Sequence, residues 1–119
     1  MIVEDNEVVR QGLFNMLAGQ ANIAIATDAE NGDNALKKLE HGVSIDVMLI
    51  DWNMPGISGL ELTRWVKLQR PEIKIIILTM HSKEEYRVQA FNAGASAYVL
   101  KDLEIEDLAK IIHEVYAKV

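Results

Sequence analysis

The sequence predicts an α/β fold, a doubly wound five-stranded parallel sheet with helices on both faces. Three observations lead there. Five short apolar runs recur along the chain, segments of helical period separate them, and capping residues or glycines stand at the joints. Runs that are apolar without alternation suit strands covered on both faces, which is the situation of a parallel sheet. With 119 residues, 50% of them hydrophobic, the chain has side chains enough for one core, and residues 1–119 are read as one domain.

The elements follow in order. Met1-Ile2-Val3 is the first strand, short for a strand near the middle of a sheet, so the chain is expected to begin inside it. Val9, Leu13 and Leu17 line one face of the first helix, and Gly19 stands where it should stop. Ile23-Ala24-Ile25-Ala26 is the second strand; Leu36 and Leu39 mark the second helix, with Gly42 as its stop. Val47-Met48-Leu49-Ile50 is the third strand. Pro55-Gly56 then suits a tight turn, with proline fixing φ and glycine permitting φ > 0. Ser58-x-x-Glu61 reads as a capping box opening a helix that faces inward through Leu62, Trp65 and Val66 and ends before Pro71. Ile75-Ile76-Ile77-Leu78 is the fourth strand. Ser82-x-x-Glu85 reads as a second capping box, Val88 and Phe91 as that helix's inner face, and Gly94 as its stop. Ala97-Tyr98-Val99-Leu100 is the fifth strand. Leu108, Ile111, Ile112, Val115 and Val119 form the apolar stripe of the last helix, for which Asp102 is a candidate cap.

Composition removes several function classes. Twelve Lys and Arg against 18 Asp and Glu give 12 − 18 = −6, which argues against direct nucleic-acid binding by this domain. The absence of cysteine excludes a disulfide framework, a thiolate metal site and a cysteine nucleophile. No apolar run reaches the length of a membrane span, so no membrane contact is expected and a cytoplasmic location is.

Ligands of doubly wound sheets bind at the carboxyl ends of the strands. Glu4 and Asp5 follow the first strand, Asp51 the third, Thr79 the fourth and Lys101 the fifth, so these side chains should converge on one sheet edge. Three carboxylates brought together repel unless a cation neutralises them, and an all-oxygen set suits Mg²⁺. Asp51 is then a candidate nucleophile, Lys101 a positive charge for a transferring phosphoryl group, and Thr79 a hydroxyl donor. Each has a plainer reading alone: an Asp after a strand is ordinarily a helix cap, Thr79 a strand end, Lys101 a solvated charge. Their joint placement is what those readings do not explain.

Ile2-Val3-Glu4-Asp5-Asn6, Leu49-Ile50-Asp51-Trp52-Asn53-Met54-Pro55-Gly56-Ile57-Ser58-Gly59, Ile77-Leu78-Thr79 and Gly94-Ala95-Ser96-Ala97-Tyr98-Val99-Leu100-Lys101 together resemble a response-regulator receiver domain of bacterial two-component systems. The likeness covers essentially the whole chain. It implies the flavodoxin- and CheY-like sheet order 2-1-3-4-5, and phosphorylation of Asp51 by a phosphohistidine on a sensor histidine kinase. It further implies Mg²⁺ held directly by Asp5, through water by Glu4, and by Asp51 and the backbone carbonyl of Asn53. Thr79 and Tyr98 would be the switch residues, acting on the face built from the fourth helix, fifth strand and fifth helix, with a possible homodimer on phosphorylation.

Leu78-Thr79-Met80-His81 and Lys101-Asp102 resemble the NarL/FixJ branch, often fused to a LuxR-type helix-turn-helix domain. A DNA-binding output is therefore expected only of a longer parent protein. Many receivers carry a proline after the lysine, in a cis peptide; Asp102 stands there instead, which leaves the isomer of that bond open. Asn53, Met80 and His81 are candidates for tuning the reaction rate, Met80 by obstructing the attacking water. Trp52, Trp65 and Met48 are read as core or rim packing, and His41 and His113 as surface residues. Rival outputs are a stand-alone adaptor and the receiver of a hybrid kinase. A flavodoxin-like FMN carrier is disfavoured because Glu4-Asp5-Asn6-Glu7 would repel phosphate, and a haloacid-dehalogenase-type phosphatase because its Asp-x-Asp follows the first strand.

Overall fold

The computed structural model describes residues 1–118. Its ten elements alternate: β1 (Ile2–Val3), α1 (Glu7–Ala18), β2 (Asp28–Ala29), α2 (Gly32–Glu40), β3 (Val47–Asp51), α3 (Gly59–Gln69), β4 (Lys74–Thr79), α4 (Glu84–Ala93), β5 (Ala97–Leu100) and α5 (Ile105–Ala117). All pairs are parallel and the sheet order is β2-β1-β3-β4-β5, as expected. Among the described residues no helix is long and apolar enough to cross a membrane.

Register explains why these strands are apolar without alternation. Ile2, Leu49, Ile76 and Ala97 align across the sheet and face α1 and α5, where Leu17, Leu108 and Val115 cover them. Their neighbours Val3, Ile50, Ile77 and Tyr98 align on the opposite face, under Leu39, Leu62, Val66 and Ala90 of α2, α3 and α4. A strand between two helical layers needs apolar residues at both parities.

Several expectations are corrected. The second strand lies at Asp28–Ala29, not at residues 23–26, because the register with β1 pairs Asp28 with Ile2 and Ala29 with Val3. Ile23 and Ile25 still pack into the core on the α1 and α5 side, while Ala24 and Ala26 are exposed, which accounts for the strand-like pattern. The first strand is two residues rather than three. In α4, Val88 and Phe91 face outward, 48% and 39% exposed, and the buried residues are Ala90 and Ala93. This helix packs against α3, where small side chains let the two backbones approach. Trp65 is likewise half exposed on the outer side of α3, and Val9 lies at the rim of α1, leaving Leu17 as that helix's fully buried anchor.

The caps divide in the same way. Ser58 accepts from the Glu61 amide as expected, and Gly94 ends α4 at φ +112°. Ser82 does not cap: Lys83 is the N-cap, so the Ser82 hydroxyl is one residue out of step with the first turn. Asp102 does not cap either, since the N-cap of α5 is Glu104. Gly19 closes α1 in right-handed geometry, whereas Gly42, after the His41 cap of α2, takes φ +85°. No described peptide bond is cis, so Lys101-Asp102 is trans. Val119, expected in the last stripe, lies outside the described residues.

Two leucines of α3 isolate the contribution of burial to stability. Leu62 is 0% exposed and Leu68 79%. Leu62→Ala should lower unfolding free energy by about 2–5 kcal/mol and Leu68→Ala by less than about 0.5 kcal/mol, measured as shifts in urea denaturation midpoint.

Candidate functional site

Four strands deliver the predicted residues to one sheet edge. β3 ends on Asp51 and β4 on Thr79; Glu4 follows β1 and Lys101 follows β5. The Glu4 amide donates to Ala29 O at 3.0 Å, carrying the β1–β2 ladder one step past Val3 and placing the Glu4 side chain inside the edge. Glu4, Asp51 and Thr79 are buried at 2%, 6% and 1% exposure, while Asp5 is exposed.

Lys101 joins the buried carboxylates. Its Nζ donates to Glu4 Oε1 at 2.8 Å and contacts Asp51 Oδ1 at 2.9 Å. Burial works against the charged ammonium, but these two partners outweigh it and hold the Lys101 pKa above the ordinary lysine value. Glu4 Oε2 in turn accepts from the Asn6 amide at 3.2 Å, so both oxygens of this carboxylate are engaged. Asn6 also caps α1 through Val9 N, which fixes the turn carrying Asp5. Carboxylate oxygens of Glu4, Asp5 and Asp51 lie within 4.8 Å of one another, a spacing and chemistry that could hold a hard divalent cation.

Thr79 is brought to this edge but is occupied elsewhere. Its Oγ1 accepts from the His81 amide at 3.0 Å, and the His81 carbonyl accepts from the Tyr98 hydroxyl at 2.5 Å. One residue thus links the two expected switch positions through its own backbone. Burial raises the Tyr98 pKa, against an opposing hydrogen bond with Thr79. Asn53 meets His81, Nδ2 to Nε2 at 3.2 Å. Met80 is not part of the cluster and is 72% exposed. Trp52 packs against the core as expected, Met48 is fully buried, and His41 and His113 are on the surface.

Three contributors were not legible. Arg10 donates to the Glu4 carbonyl at 2.8 Å and pairs with Asp28 at 3.3 Å, tying α1 to the ends of β1 and β2. Tyr86 stacks on His81 with ring centroids 4.5 Å apart. Gly59 opens α3 directly against the end of β3: its amide donates to Trp52 O, and a Cβ there would lie 2.2 Å from the Asp51 carbonyl oxygen. Arg10 and Tyr86 depend on distant partners that no local pattern names. The Gly59 signal is only its place after a helix cap.

Gly59→Ala should therefore be among the most damaging small substitutions in the chain, because the obstructing atom is backbone and cannot rotate away. We expect about 1–3 kcal/mol of lost stability from that overpacking. Gly12→Ala, in α1 with nothing within 4 Å of the new methyl, should be neutral or gain up to about 1 kcal/mol. Thermal or urea unfolding of the two variants decides it.

The comparisons agree with this geometry. Residues 1–113 match the family model described as the response regulator receiver domain. The chain is 32% identical over 112 residues to the transcriptional regulatory protein DegU of Brevibacillus brevis, covering 94% of this chain and 47% of that protein. It is 33% identical over 117 residues to the response regulator GacA of Pseudomonas aeruginosa, covering 98% and 54%. The crystal structure of a DNA-binding response regulator of the LuxR family from Staphylococcus aureus superposes with TM-score 0.87 at 32% identity, covering 97% of this chain and 96% of that one. The chain spans about half the length of these curated relatives. With the matched family model, the parallel 2-1-3-4-5 sheet and the acidic edge all in agreement, the chain belongs to the response regulator receiver domain family.

Proposed function

We propose that Asp51 accepts a phosphoryl group from a phosphohistidine on a sensor histidine kinase, and that the added charge switches the face formed by α4, β5 and α5. The observation that carries this reading is the Lys101 ammonium held between Glu4 Oε1 and Asp51 Oδ1, beside three carboxylates that lie within 4.8 Å. An Asp51 oxygen attacks phosphorus, the phosphorus–nitrogen bond of the donor breaks, and the electron pair leaves with the imidazole. Lys101 is already in contact with the acceptor and supplies positive charge to the transferring group. The Thr79 hydroxyl accepts from the His81 amide and carries a proton of its own, which it can turn toward a phosphoryl oxygen.

The donor set fits Mg²⁺. Asp5 would be the direct ligand, because its carboxylate is exposed whereas both Glu4 oxygens are engaged; Glu4 would act through water, and Asp51 and the Asn53 carbonyl would complete the protein's share. A divalent cation held there would supply positive charge against the repulsion of the carboxylates and of a phosphoryl group. Phosphorylation adds about −1.5 to −2 charge at pH 7, which draws Thr79 toward Asp51 and strengthens the contact Lys101 already makes there. Thr79 then loosens from the His81 amide, and the disturbance reaches Tyr98 through the His81 carbonyl. Asn53 and His81, joined at 3.2 Å between the loops after β3 and β4, are the residues placed to tune the lifetime, while Met80, proposed from its place after Thr79, points largely into solvent.

The output is read as transcriptional control in the cytoplasm through a helix-turn-helix domain of a longer parent, with homodimerisation on phosphorylation. The likeness to a transcriptional regulatory protein of about twice this length supports it. A stand-alone adaptor or a hybrid-kinase receiver would share the same site.

Acetyl phosphate with Mg²⁺ should add one phosphoryl mass to the wild type and none to Asp51→Asn, read by intact-protein mass spectrometry. An equal adduct on the variant would move the acceptor elsewhere. Metal affinity, followed by fluorescence of Trp52 beside Asp51, should fall more for Asp5→Asn than for Glu4→Gln. Equal losses would contradict the ligand assignment.

A further inference from the structure

We propose that Tyr86 is a positioning residue that holds a latch over the acceptor, and that this latch lengthens the life of a phosphoryl group on Asp51. The inference rests on the reading of Asp51 as the phosphoacceptor and adds a regulator to that site. The latch is the bond between Asn53, on the loop after β3, and His81, on the loop after β4. These two loops follow the adjacent strands that end on Asp51 and Thr79, so the bond crosses the mouth between them. The contact joins Asn53 Nδ2 to His81 Nε2 at 3.2 Å, a hydrogen bond that the amide can donate to the ring nitrogen.

A bond between two loop side chains is ordinarily short-lived, because each loses rotamer freedom to make it. Here the cost is met in advance on the His81 side. Its backbone is fixed from both directions, by Thr79 at the amide and Tyr98 at the carbonyl. Its ring lies nearly parallel to Tyr86, 27° between planes at 4.5 Å, and meets Trp52 edge-on at 6.3 Å. Trp52 also meets Tyr86 edge-on at 5.4 Å. The imidazole is therefore one corner of a triangle of rings, stacked on an aromatic from the first turn of α4 that itself meets the residue next to Asp51. Both offset stacks and edge contacts are favourable aromatic geometries.

The chemistry gives the latch its effect. In hydrolysis, a water oxygen bonds to phosphorus, the bond from phosphorus to the Asp51 oxygen breaks, and its electron pair returns to the carboxylate while the water's proton leaves with the phosphate. A closed Asn53–His81 bond narrows the opening to that water and occupies the polar groups that would orient it. Removing the Tyr86 ring frees the imidazole and opens the latch without touching Asp51, Lys101 or the carboxylates.

The test is the decay of phosphoryl mass after acetyl phosphate is removed from the Mg²⁺-loaded chain. Tyr86→Leu should shorten the lifetime about fivefold, equivalent to about 1 kcal/mol at 1.36 kcal/mol per tenfold. Tyr86→Phe keeps the stacking ring and should restore the wild-type lifetime. His81→Ala should match Tyr86→Leu, and the double variant should decay no faster than either single one, since both act through one bond. His81→Ala, in a loop, also keeps the idea testable should Tyr86→Leu fail to fold, because an unchanged lifetime there overturns it. So does an unchanged lifetime in Tyr86→Leu, a fast Tyr86→Phe, or multiplied effects in the double variant. A wild type that takes up no phosphoryl group overturns the acceptor reading itself; normal uptake with unaltered decay overturns only the latch.

Discussion

The contact between the Lys101 ammonium and the Glu4 and Asp51 carboxylates is the constraint around which the sheet edge is organised. Isolated buried carboxylates are costly, and Glu4 and Asp51 are nearly inaccessible. A single cation offsets both, at 2.8 and 2.9 Å. That cation arrives from β5, two strands away from β3 and three from β1. At about 4.8 Å between neighbouring strands, only a long, unbranched side chain spans the distance, which is why a lysine after the last strand meets acids after the first and third. Each strand must therefore end at the right residue for the site to form. The remaining donors fall into line, and no buried side-chain nitrogen or oxygen among the described residues lacks a partner.

This dependence also explains what could be read from the chain. β3, β4 and β5 were legible because a strand between two helical layers is apolar at every position, and their last residues were legible because a polar residue then interrupts the run. Asp51, Thr79 and Lys101 stand at those interruptions, and Glu4 stands at the one that follows β1. β2 was misplaced because pairing, not composition, selects which part of residues 23–29 enters the ladder. The inner face of α4 was misread because periodicity weighs large side chains, whereas this helix turns Ala90 and Ala93 inward. Ser82 was misread because a cap motif one residue out of step looks the same in sequence. Arg10 and Tyr86 could not be found at all, since their roles are set by Glu4 and Asp28 in one case and by His81 in the other.

Above the electrostatic floor lies a second layer of different character. Trp52, His81, Tyr86 and Tyr98 come from the β3–α3 loop, the β4–α4 loop, α4 and β5, and their rings meet at centroid separations of 4.5 to 6.3 Å. The floor is fixed by charge and backbone and has little room to change. The aromatic layer is held by contacts individually worth about 0.5–1.5 kcal/mol beyond their burial, which is small enough to rearrange. Thr79 belongs to both layers, since it ends a core strand and accepts the hydrogen bond that positions His81.

The anchoring of α4 shows which element such a rearrangement would move. Hydrophobic stabilisation scales with the apolar area removed from water, at about 25 cal/mol per Å². α3 buries Leu62 and Val66 fully, and α5 buries Leu108 and Val115; α4 buries two alanines and exposes Val88 and Phe91. By area it is held less firmly than its neighbours, and its first turn carries no side-chain cap. Tyr86 on that turn, stacked on His81 and edge-on to Trp52, then supplies a large share of what fixes the start of the helix. A change at Thr79 that displaces His81 would remove one of these two contacts, at the end of the helix that faces Asp51. The helix with the least burial is thus the one tied through two aromatic neighbours to the residue beside Asp51, so a displacement of His81 or Trp52 bears on α4 before it bears on α3 or α5.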